Sequence, residues 1–104
     1  MHTVLVKFVL PSPVPRAALL ERFKQSEQRF RGLPNLIRKY FCYDEANQTG
    51  HSVYLWTDEA AARAFFNAEF TSNFAQKFGA TPELTHLDTL MVVDNEQDKT
   101  EFGG

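Results

Sequence analysis

Cysteine is nearly absent from this chain. Cys42 is its one thiol, so no internal disulfide can staple the fold, and the expectation is a cytoplasmic protein in a reducing compartment. No Cys or His cluster has the spacing of a zinc site, so no metal is expected. A large excess of charge of one sign is missing too. The net charge of −2 comes without a basic stripe, which argues against a nucleic-acid partner. Long apolar runs are also lacking. The longest, Thr3 to Leu10, is too short to span a bilayer, holds Lys7 and stops at Pro11. It reads neither as a membrane segment nor as a signal peptide.

What is present is aromatic. The 104 residues include 10 Phe, 3 Tyr and 1 Trp, enough for one domain with a modest core. "TVLVKFVL" (3–10) suits a central strand buried on both faces. "PSPVP" ends it, because proline cannot donate to a ladder. Pro15 opens a helix that runs to about Phe30, with Leu19, Leu20, Phe23 and Phe30 on one side. "NLIRKYFCYDE" (35–45) alternates: Ile37, Lys39, Phe41 and Tyr43 on one face, Leu36, Arg38, Tyr40 and Cys42 on the other. "ANQTG" makes a hairpin turn into a third strand, His51 to Trp56. After Thr57 alone, an Ala-rich helix starts near Asp58, with a kink expected at "TSN" (71–73). Residues 83–94 read as one long last strand and 96–104 as a polar, loosely held C-terminal tail after a 1–95 domain.

The order β-α-β-β-α-β defines an α+β, ferredoxin-like fold, a four-stranded antiparallel sheet with both helices on one face. Apolar residues on both strand faces leave the second face to be covered. In so short a chain the expected cover is a second copy, a homodimer.

"GLPNLIRKYFCYDEANQTGHSVYLWTDEAAARAFF", followed by "FG" and "LDTLMVVDN", resembles the dimeric α+β-barrel proteins, and among them the YdhR-like mono-oxygenase group. The resemblance covers roughly residues 3–95. It implies a barrel closed by two subunits, with a pocket between sheet and helices in each. It also implies a small cofactor-independent mono-oxygenase acting on an apolar aromatic compound. The alternatives are a non-catalytic homodimer that binds an apolar small molecule or partner protein, and an isomerase of the same fold. The haem-degrading relatives carry a histidine ligand and a tryptophan on the second helix and an asparagine on the first strand. This chain has Phe74 and Ala75, Phe65, and Lys7 at those places, so no haem is expected.

Individual residues then divide between bland and functional readings. Lys7, the one charge in an apolar strand, is either half of an ion pair or an anion stabiliser in a pocket; the resemblance implies that it faces the helices. His86 shares a face with Asp88, as a seam contact or as an acid–base pair. Tyr54 and Tyr40 can each bury a ring and place a hydroxyl on a ligand. Trp56, Phe65, Phe70 and Phe74 are core or the walls of a ligand pocket. Cys42 reads as a small filler.

Overall fold

The computed structural model describes residues 1–103. Its main sheet is built from β1 (His2–Val9), β2 (Leu36–Asp44), β3 (Thr49–Trp56) and β4 (Glu83–Asp88), in the spatial order β2-β3-β1-β4. Every neighbouring pair is antiparallel. This is an α+β arrangement compatible with the ferredoxin-like one.

The side-chain period of two sorts each strand into faces. On β1, His2, Val4, Val6 and Phe8 are buried, whereas Leu5, Lys7 and Val9 are exposed. Ser52, Tyr54 and Trp56 of β3 join the buried set. The helices lie on that side: α1 (Arg16–Gln25), α2 (Glu27–Phe30), α3 (Glu59–Phe65) and α4 (Ala68–Phe78). Leu19, Ala62 and Phe70 from the helices, with Phe66 between α3 and α4, close one core with the strands. Phe8 packs over Gly50, its partner on β3. A Cβ at Gly50 would overlap the Phe8 ring, so the glycine makes room for the aromatic.

The abrupt strand exit has a local cause. Thr57 N–H donates to the Asn35 carbonyl at 2.8 Å, which ends β3 pairing. Asp58 then caps α3, accepting from Ala61 N–H at 2.7 Å. Satisfying an orphan N–H this way lets a helix begin within two residues of a strand. Trp56, at the exit, is 1% exposed. It stacks parallel to Tyr54 and packs against Phe65 and Phe66.

Three expected elements differ. The first helix breaks at Ser26, whose hydroxyl donates to the Phe23 carbonyl at 2.7 Å. The second breaks at Phe66–Asn67 rather than at "TSN", because Asn67 caps α4 by accepting from Phe70 N–H at 2.9 Å. "TSN" lies inside α4, which ends on left-handed Gly79. Finally, the long strand over 83–94 is two strands. β4 stops at Asp88, and β5 (Met91–Asp94) pairs with β6 (Lys99–Phe102), a strand formed by the expected loose tail. This second hairpin shares a groove with Thr3, Tyr40, Val53 and Leu55 on the helix-free face. Arg38 reaches Asp94 at 3.5 Å.

Candidate functional site

Between the sheet and the helices lies an inner cavity of about 100 Å³. Its floor is the covered face of the sheet: Phe8 from β1, Lys39 and Phe41 from β2, Ser52 and Tyr54 from β3. Lys39 faces Tyr54 and Phe41 faces Ser52 across the β2–β3 ladder. Its roof is helical, with Phe30 from α2 and Phe70, Phe74 and Phe78 from α4. β2 is an edge strand, so the cavity meets a wider outer groove of about 480 Å³ there. Phe23, Phe30, Lys39 and Phe41 line both spaces. Together they approach the size of an ordinary small-molecule site.

The electrostatics are unusual. Among the described residues, three cationic side chains, Arg29, Lys39 and Lys77, line the inner cavity, and no carboxylate does. The Lys39 Nζ rests 3.7 Å from the ring centre of Phe30, 3.8 Å from that of Phe41 and 4.5 Å from that of Tyr54. Burial lowers the Lys39 amine from 10.5 to about 6, and the like charges of Arg29 and Lys77 add to the effect. The ring faces attract the ammonium and act in the opposite direction. Burial pushes the Tyr54 phenol up, with Arg29 pulling it partly back. Burial therefore shifts both the amine and the phenol toward their neutral forms. An arriving anion would restore the amine's proton by supplying the missing counter-charge.

The residues singled out from sequence divide by face. Tyr54, Phe70 and Phe74 line the cavity. Trp56 and Phe65 stand beside it, in the aromatic core around Tyr54. Tyr40 is 51% exposed on the opposite face, where Arg38 donates to its hydroxyl at 3.3 Å. Lys7 does not face the helices as expected. It is exposed on the open face, in register with His51 and Glu83. Cys42 is exposed on that face too. His86 faces the helices but does not bond to Asp88. Its Nδ1 pairs with His2 Nε2 at 2.9 Å. Burial, and then the Arg63 charge, lowers its pKa.

Lys39 went unmarked in the sequence, although its strand alternation already placed it with Phe41 and Tyr43. The usable signal was a cation on the aromatic face of an amphipathic strand.

The arrangement is an aromatic, cation-lined cavity under the helices of an α+β sheet. No family model matches the chain, and no curated protein matches it at a significant level.

Proposed function

We propose that the chain is a small cofactor-independent mono-oxygenase whose substrate is a weakly acidic, apolar aromatic compound bound beside Lys39. One observation carries this reading: a desolvated amine, caged by three rings, in a cavity that no carboxylate of the described residues lines. A neutral Lys39 takes the proton of a phenol or enol. The ammonium so formed, with Arg29 and Lys77, holds the anion. Desolvation raises the anion's energy and its readiness to give electrons to O₂. In the balanced reaction of a phenol, a ring C–O bond forms to O₂ and the peroxide O–O bond then breaks. The ring C–H proton and the proton held on Lys39 leave with one oxygen as water. Phenol plus O₂ becomes quinone plus water.

The resemblance to the YdhR-like group supports the same reading, and with it a homodimer formed through the helix-free face. Leu5, Tyr40 and Leu87 are 37%, 51% and 46% exposed there. A mass of one chain by light scattering at micromolar concentration would remove the dimer.

1-Naphthol and naphthalene, compared by fluorescence titration and by oxygen uptake, test the activity. Naphthol should bind more tightly than naphthalene, and its oxygen uptake should vanish in Lys39→Met. Binding that needs Lys39 but consumes no oxygen would favour the non-catalytic alternative. Equal binding of both probes, unchanged in Lys39→Met, would overturn both readings.

A further inference from the structure

A second cluster lies at the strand-exit end of the sheet, and none of its residues lines the cavity. His2 opens β1 and sits between Trp56 on β3 and Asp88 on β4. Three residues past Trp56, Glu59 opens α3. One donor atom from each of His2, Glu59 and Asp88 lies within 4.8 Å of the others.

His2 makes this more than a group of acids. Its side chain is 3% exposed. Its Nδ1 is sealed from solvent and has no hydrogen-bond partner. The charge facing that nitrogen is Asp88 Oδ1 at 3.9 Å, too far for a hydrogen bond. A buried polar atom left in this way costs free energy unless something fills the gap.

We propose that His2 Nδ1, the Glu59 carboxylate and the Asp88 carboxylate form a binding site for a divalent first-row transition ion of the Zn²⁺ type. The proton between the two histidines supports it. When His2 Nε2–H donates to His86 Nδ1, the His2 Nδ1 lone pair points toward two negative groups. That arrangement is repulsive alone and attractive around a cation. His86 is then the outer acceptor that a metal-bound imidazole ordinarily has, fixing its tautomer and orientation.

The spacing fits with little movement. Nitrogen and oxygen ligands sit about 2.0–2.2 Å from such an ion, so tetrahedral ligand atoms are about 3.4 Å apart, and the side chains close by about 1 Å to reach it. Asp88 is 85% exposed and free to swing inward. Arg63 Nε donates to Glu59 Oε2 at 2.6 Å, which leaves Oε1 for the ion. One imidazole and two carboxylates suit a borderline ion better than Mg²⁺, which prefers oxygen alone. The remaining positions would go to water.

The test is calorimetric titration of chelator-stripped protein with ZnCl₂, and separately with MgCl₂. We expect one saturable Zn²⁺ site per chain and no comparable Mg²⁺ site. Asp88→Asn and Glu59→Gln each keep their bulk at an exposed position, and each should weaken Zn²⁺ by about tenfold or more. Histidine ¹⁵N NMR should show the His2 Nδ1 resonance moving on Zn²⁺ addition while Nε2 keeps its proton. Absence of Zn²⁺ uptake, equal uptake of Mg²⁺, or an affinity unchanged in both variants would overturn the site.

Discussion

The two faces of the sheet hold the same kinds of residue and treat them in opposite ways. Each carries a lysine and a tyrosine among apolar neighbours. On the covered face Lys39 and Tyr54 are drawn among rings, and burial shifts both side chains away from their charged forms. On the open face Lys7 is exposed and Tyr40 is half exposed, held only by Arg38. A strand turns each successive side chain to the other side. A residue's neighbours in sequence therefore say little about its surroundings. Its partners two positions away say much more. Lys7 sits among apolar neighbours yet alternates with exposed Leu5 and Val9. Lys39 alternates with Phe41 and Tyr43.

The largest expected effect sets the covered face against the open one. Trp56→Ala should cost about 3–5 kcal/mol, the usual loss for a large buried aromatic. Tyr40→Ala should cost about 1 kcal/mol or less. Denaturant melts of the two variants measure this. A Tyr40→Ala loss that grows as protein concentration rises would instead reveal a second copy on the open face.

The two lysines come next. Between pH 6 and 10.5 the folded Lys39 binds fewer protons than the unfolded one, so stability rises with pH across that window. The penalty is complete below pH 6 and gone above 10.5. Lys39→Met should be more stable than wild type by a few kcal/mol at pH 6. It should also lose up to about 1.4 kcal/mol per pH unit of that upward slope. Lys7→Met should stay within about 0.5 kcal/mol of wild type throughout. Melts at several pH values, run in parallel, check both.

Gly50→Ala should follow, at about 1–3 kcal/mol, because the new methyl displaces Phe8 from the covered face. Thermal melts measure the loss. A variant melting like wild type would show that Phe8 has room to move. Asp58→Ala should cost about 1 kcal/mol from the lost cap of α3, read as a lower melting temperature with the sheet signal retained.

Much of this architecture was legible in the pattern of residues. The alternation of β2 from Arg38 to Tyr43, the hairpin turn before the third strand and the helix start near Asp58 were all visible; a bulge between Leu36 and Arg38 puts Leu36, expected with Arg38, on the same face as Lys39 instead. The break inside the Ala-rich helical stretch was also expected, but at the wrong place. Poor helix formers at 71–73 are tolerated, and the capping power of Asn67 decides the matter instead. The second hairpin was missed because "LMVV" looks like core, although Leu90 is 75% exposed and Val93 61%. A comparison of turns would have found it. Asp44 pairs with Thr49 and Asp94 with Lys99 at the same spacing. In both turns the Asp side chain accepts backbone N–H groups, and the residue before the returning strand is left-handed, Gln48 or Asp98. The site was half legible. Phe70 and Phe74, expected as core or pocket wall, and Tyr54, expected to place a hydroxyl, line the inner cavity, whereas Tyr40, Trp56 and Phe65 do not; the charge was sought on Lys7, whose odd surroundings in sequence were more conspicuous than its face.

The lone tryptophan has an optical consequence. Trp56 is sealed from water and stacked on Tyr54, which itself lines the cavity. Its emission should be blue-shifted in the folded protein and move to the red on unfolding, with no competing indole to blur the signal. It stands one ring away from whatever enters beside Lys39. An aromatic guest that absorbs in the near ultraviolet would therefore drain its excited state, so the protein carries its own lamp for counting occupied molecules.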